Sequence, residues 1–202
     1  MKKRNWMYRL SSKSMSVMAA WLSHRMVERG IIKEEEQELY QFGIRNGMIL
    51  LLNVVTALVI GLLTEQLAVV AVFTLSFMVL RSYTGGYHSD SRIFCYLGSN
   101  LVLLVPVYTQ AVFYKTSLAW LLAVLLVSAG IIFLLSPMHS KNRKLDKEEQ
   151  KHFGRKARLI AALELAVLGI LWHAGQIPYA YAVYTGICIT ALFMLVGKAQ
   201  LW

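Results

Sequence analysis

LAVVAVFTLSFMVL (67–80), RSYTGGYHSDSR (81–92) and IFCYLGSNLVLLVPVYTQAVFY (93–114) read as two membrane spans joined by a polar connection. A bilayer core about 30 Å thick asks for roughly 17–25 apolar helical residues, so the first run is short and the second is ample. Pro106 should kink the second span without breaking it. The connection and the start of the next span hold two arginines, a Gly-Gly pair, the carboxylate of Asp90, the imidazole of His88 and the thiol of Cys95. A plain turn between spans needs none of the last three.

Four further apolar stretches, 44–63, 117–135, 159–173 and 179–197, bring the total to six; 67–80 and 159–173 are the marginal ones. The composition agrees. The chain is 57% hydrophobic and 16% charged with a mean hydropathy of +0.51, whereas soluble domains carry about 25% charged residues. A net charge of +10 in a soluble protein would suggest nucleic acid. In a membrane chain it marks cytoplasmic loops instead, and no nucleic-acid partner is expected. Twenty of the 21 lysines and arginines fall on one side of a six-span topology, leaving Lys115 alone. That tally puts both termini, His88 and Cys95 on the cytoplasmic face of the cell membrane. The expected fold is all-α: a polytopic membrane helical bundle of about six transmembrane helices, in one domain over 1–202. Residues 1–43 form its cytoplasmic or interfacial amphipathic segment and 44–197 its transmembrane bundle. Met1-Lys-Lys-Arg-Asn is basic but precedes no apolar core, so no cleavable signal is expected. Two cysteines give no disulfide framework and no zinc ligand set; no metal or other cofactor is expected.

Residues 13–29 carry a helical pattern. Met15, Met18, Ala19, Leu22 and Met26 recur at steps of three and four, with Lys13, Ser16, Ser23, His24 and Glu28 on the other arc. Such a helix lies on the membrane surface or packs beneath the bundle, and Gly30 can end it. The acidic run Lys33–Glu38 reads as a solvated helical face.

The chemistry concentrates at 81–95. Ser89, Asp90 and Ser91 suit the cap of a helix, which places Cys95 about one turn inside. The positive end of the helix dipole, with Arg81 and Arg92 near, favours the reactive thiolate. On one straight helix His88 and Cys95 would lie about 10.5 Å apart along the axis. Proton transfer needs about 2.6–3.2 Å or a bridging water, so His88 must sit on a loop folded back over the first turn. Gly85-Gly86 gives the backbone that freedom. The pair can then act as base and nucleophile, forming an acyl-thioester. The alternative for each residue alone is ordinary: a small hydrophobe for Cys95, a local hydrogen bond for His88. Asp90 is open to two roles, orienting His88 or capping the helix.

The pattern Arg81-x-x-x-Gly85-Gly86-x-His88-x6-Cys95 resembles the core motif of the accessory gene regulator B family of Gram-positive bacteria. A basic amphipathic N-terminus, about six spans and the Pro137-then-basic stretch with Lys141, Arg143 and Lys144 follow the family order. The resemblance implies a membrane cysteine endopeptidase that processes a small signalling pro-peptide in quorum sensing, with His88 and Cys95 as the catalytic pair. It further implies cleavage before an acidic C-terminal tail, capture of the acyl group by an internal Cys or Ser to close a thiolactone or lactone, and a homodimer. Arg81, Gly85, Gly86, Lys141, Arg143 and Lys144 are the candidate substrate-binding residues; the cations serve equally as orientation anchors. The rival reading is a membrane transporter or export component for a peptide, without peptide-bond chemistry, although neither repeats nor paired broken helices are visible.

Other polar residues weigh less. His139 is a second candidate base, and His24, His152 and His173 read as interfacial or loop histidines. Cys188 reads as packing. Glu164, the one acid deep in a predicted span, is expected to snorkel towards Arg158 or Lys156. Arg45, Asn53, Asn100 and Gln110 are expected to hydrogen-bond between helices.

Overall fold

A computed structural model describes residues 6–85, 92–138 and 146–199. Every regular element among them is helical: α1 (Trp6–Glu28), α2 (Gln37–Leu63), α3 (Leu67–Thr84), α4 (Arg92–Tyr108), α5 (Gln110–Lys115), α6 (Leu118–Leu135), α7 (Lys147–His173) and α8 (Ile177–Ala199), with one 3-10 turn, Glu34–Glu36, leading into α2. All six apolar stretches lie on these helices. Four helices (α2 with its leading turn, α3, α6 and α8) are long and apolar enough to cross a membrane. α4 offers the shorter apolar run Gly98–Tyr108, and α7 is charged through its first turns.

Three boundaries differ from the sequence expectation, each for a local reason. The span expected over 93–114 is two helices, because Pro106 removes a backbone donor near the end of α4 and Thr109 breaks the regular geometry before α5. α3 runs on through Arg81 to Thr84. The basic link expected over 136–158 is helical from Lys147: Asp146 and Glu149 form a capping box that starts α7 early, with the Asp146 N–H donating to Glu149 Oε2 at 3.3 Å. The Asp-x-x-Glu spacing carried that signal.

α8 is the axis of the bundle, packed by α3, α6 and α7. One apolar cluster joins α2, α3, α4 and α8 through Ala57, Phe73, Leu103 and Ile189. A second joins α3, α6, α7 and α8 through Leu80, Ile132, Ala161 and Ile187. Gly186 lets α8 approach α3 so closely that a Cβ there would stand 2.6 Å from Ser76 Oγ.

The ends of the bundle are distinct. Phe113 of α5 meets Trp172 at the end of α7 and Tyr181 and Tyr184 at the start of α8. Thr109 Oγ1 and the Tyr181 hydroxyl share a hydrogen bond of 2.6 Å at that end. The far end gathers the last turn of α3, the residues after α6, the early turns of α7 and the last turns of α8.

α1 packs on α2, ending at Gly30 (φ +66°) with the Ile31 N–H donating to the Met26 carbonyl at 2.9 Å. Its apolar arc is only partly covered by the bundle. Ala19 and Ser23 are fully buried while Met18 and Leu22 are exposed. Small side chains let α1 sit close against α2, and Ser23 satisfies itself by donating to the Ala20 carbonyl at 3.0 Å. Val17, Met18, Trp21 and Leu22 are left on the outer side, with the Arg25 guanidinium 5.5 Å from the Trp21 ring.

Candidate functional site

The two stretches that carry the sequence pattern meet at one end of the bundle. α3 ends in Thr84, fully buried, and Gly85 at φ +71°, ψ −152°, a backbone region essentially closed to other residues. The Met138 N–H donates to the Thr84 carbonyl at 2.9 Å. A Cβ on Gly85 would come within 2.6 Å of the Met138 carbonyl oxygen. Glycine is therefore required twice, by conformation and by space.

Side chains from three helices brace this junction. The Arg81 guanidinium folds back to donate to the Gly85 carbonyl and lies 5.4 Å from the Phe193 ring of α8. A cation in the last turn of α3 thus meets the negative end of the helix dipole. Lys156 of α7 stands 5.8 Å from the Tyr83 ring, which also faces Phe153 at 6.4 Å. Gly154 allows Pro137 against α7; a Cβ there would sit 3.0 Å from Pro137 Cδ. Arg158 donates to the Phe133 carbonyl at 3.1 Å, tying α7 to the end of α6.

α4 runs antiparallel to α3, from the junction towards Tyr181. Cys95 is the fourth residue of α4 as expected, although its side chain lies outside the described ones. Gly86, His88, Asp90, His139, Lys141, Arg143 and Lys144 also lie outside the described residues. Of the candidate binding residues, Arg81 and Gly85 are therefore placed, and both help build the junction.

Several polar residues find other partners than expected. Glu164 accepts a hydrogen bond from Ser76 of α3 at 2.9 Å and does not snorkel towards Arg158 or Lys156; the buried hydroxyl is nearer than the helix end. Gln110 donates to Tyr114 within α5 at 3.3 Å, not across helices. Arg45 Nε, Asn53 Oδ1 and Asn100 Oδ1 are buried without a hydrogen-bond partner, contrary to the expected interhelical bonds. Cys188 packs with Ser128 and Tyr184 inside the bundle. No cluster among the described residues could hold a metal ion.

With the junction and its braces placed, the relatives can be compared. The sequence profile of accessory gene regulator B matches residues 16–195. The chain belongs to that family. AgrB proteins act in accessory gene regulation, a form of quorum sensing, and are membrane proteins, as the apolar helices here require. The chain is similar to accessory gene regulator protein B of Staphylococcus intermedius, 26% identical over 156 residues, 75% of this chain and 80% of that protein. It is also similar to two proteins of Clostridium perfringens named AgrB-like, each 24% identical over 131 residues, 62% of this chain and 61% of theirs. The chain thus spans about three fifths of the length of those two relatives. No solved structure matches it. The AgrB match takes in both sequence stretches that carry the pattern, 81–95 and 136–144.

At the opposite end, α5, α6, α7 and α8 line a half-open apolar pocket of about 380 Å³, among whose walls are Phe113, Leu122, Leu168, Trp172 and Tyr184.

Proposed function

We propose that this chain is a membrane-embedded cysteine endopeptidase that cleaves a small signalling pro-peptide and closes its core into a thiolactone or lactone. His88 takes the thiol proton, and Cys95 Sγ attacks the carbonyl carbon before the acidic C-terminal tail. The C–N bond breaks, the proton passes to the departing amine, and the tail leaves. The thioester on Cys95 retains the activation of the cleaved bond. An internal Cys or Ser of the peptide then attacks it, returns the thiol to Cys95 and closes the ring; keeping water from the interface favours closure over hydrolysis. Lys141, Arg143 and Lys144 attract the acidic tail, while Arg81, Gly85 and Gly86 shape the turn over the first residues of α4. The active end lies on the cytoplasmic side, a reading supported by the six-span tally of 20 of the 21 lysines and arginines on one face, and the protein works as a homodimer.

One observation carries the reading. The Thr84–Met138 hydrogen bond holds the Gly85 turn and the Pro137 segment together at the end where α4 begins, with Cys95 in its first turn. Stretches far apart in sequence are thereby brought to one place, as a peptide-cleaving site needs. The test is co-expression with a candidate pro-peptide: amphipathic leader, short Cys- or Ser-bearing core, acidic tail. His88→Ala should slow cleavage by about 10²–10⁴-fold and Cys95→Ser should abolish it, both with normal membrane insertion. Cys188→Ala should cleave normally. Processing that survives in Cys95→Ser ends the proposal and favours an export component without peptide-bond chemistry.

A further inference from the structure

The half-open pocket at the end opposite the junction takes no part in the chemistry proposed above. α6 lines it with Leu118, Leu122 and Leu125, α7 with Gly169, Trp172 and His173, and α8 contributes Tyr184. Leu118 is the first residue of α6 and His173 the last of α7, so the rim stands at the helix ends. From Leu118 to Leu125 the wall descends seven residues, about 10.5 Å at 1.5 Å per residue. One leaflet supplies about 15 Å of a hydrocarbon core about 30 Å thick. The pocket is therefore as deep as most of one leaflet, and its volume of about 380 Å³ suits a small ligand, for which sites run from about 300 to 1,000 Å³.

Walls and rim differ in chemistry. An apolar slot bordering a bilayer gains van der Waals contacts when hydrocarbon enters it, whereas water needs polar partners that these walls scarcely offer. At the rim, Lys115 ends α5 and is exposed, placed in the chain between Phe113 and Leu118, both of the pocket wall. The six-span tally leaves this lysine alone on its side. The first turn of α6 begins beside it, and the N-cap Ser117 makes no side-chain cap bond. The N–H groups of that turn are thus left for an outside acceptor, and a helix start favours an anion. A cation and a helix start above an apolar slot match a phosphate joined to an acyl chain.

We propose that this pocket binds an anionic phospholipid from the leaflet at that end, with one acyl chain between α6 and α7 and the phosphate held by Lys115 and the first turn of α6. The site is independent of the peptidase reading. Gly169 offers a way to block it. At 3.6 residues per turn, the pocket-lining residues Leu168, Gly169, Trp172 and His173 cover an arc of about 140° on α7, and Gly169 points within that arc. A Cβ there meets nothing within 4 Å, so a larger side chain enters the pocket without moving backbone.

The test uses the full chain in detergent with a trace of phosphatidylglycerol that carries a diazirine in one acyl chain. Photoproducts are mapped by mass spectrometry and should gather on 118–125 and 168–173. Unlabelled phosphatidylglycerol should compete about fivefold better than phosphatidylcholine, the advantage of one lysine beside an anionic headgroup. Lys115→Gln should remove that preference while labelling persists. Gly169→Phe should cut labelling of both stretches by about tenfold, a change of about 1.4 kcal/mol in binding, with an unchanged unfolding temperature. Leu122→Trp fills the slot from α6 and takes the place of Gly169→Phe should the latter fail to fold. Labels as dense on the exposed Leu51 and Leu134 as in the pocket, or undiminished by the filling variants, mean unselective lipid contact and overturn the proposal. Equal competition by the two lipids overturns the anionic headgroup and the proposal with it. Displacement of the probe by the pro-peptide, but by neither lipid, gives the pocket to the peptide and overturns it equally.

Discussion

α8 and α6 look alike as apolar runs, yet they have different neighbours. α6 is the more apolar of the two, but among its 18 residues only Ser128 and Ile132 are buried. In α8 twelve of 23 residues are buried, among them Ala180, Ala182, Thr185, Gly186, Thr190, Ala191 and Gly197. Lipid tails are as apolar as leucine, so helices gain little by hiding leucine from them; close van der Waals contact decides, and small side chains permit it. Hydropathy puts a helix in the bilayer, and side-chain size decides whether protein or lipid surrounds it.

Gly186 is where that contrast breaks most easily. Leucine there has no room beside Ser76, 2.6 Å from the first added carbon. Gly186→Leu should cost about 3 kcal/mol, the upper part of the range for overpacked cores, read as a lowered unfolding temperature in detergent. A variant as stable as the parent would remove α8 from the centre. Gly85→Ala comes next. Its positive φ alone should cost about 1–3 kcal/mol, and the Met138 carbonyl stands in the way of the new methyl. Peptide processing should fall with stability here, whereas a stable, fully active Gly85→Ala would show that the junction tolerates a different turn. Leu134→Ala sharpens the contrast from the other side. Leu134 is 82% exposed on α6, and its truncation should change stability by less than about 0.5 kcal/mol. A larger loss would mean that the outer face of α6 is covered by protein, a second copy being the first suspect.

The helices were legible in the sequence because lipid imposes one simple demand, a long apolar run with satisfied backbone. Their neighbours were not. The apolar arc of α1 left open whether the helix lies on the membrane surface or packs beneath the bundle; Ala19 of that arc and Ser23 of the polar one are buried while Met18 and Leu22 stay exposed, because apolar side chains near a membrane need not turn inward. Lys147–Arg158 read as a link by its charge, although the Asp146–Glu149 capping box shows a helix start. Glu164 read as snorkelling because a sequence shows the helix end but not Ser76 of α3 across the interface. At the candidate site, the spacing of Gly85, Gly86, His88 and Cys95 suggested the chemistry proposed above, and of these the structure describes the Gly85 turn. That Gly85 rests on Met138 was beyond reach, since nothing local in either stretch names the other.

The contact between Thr84 and Met138 also yokes two connections that the chain makes independently. A displacement of Pro137–Met138 is passed through one peptide group to Thr84 and Gly85 at the end of α3. The end of α3 and the end of α6 are thereby coupled mechanically, with no side chain needed between them.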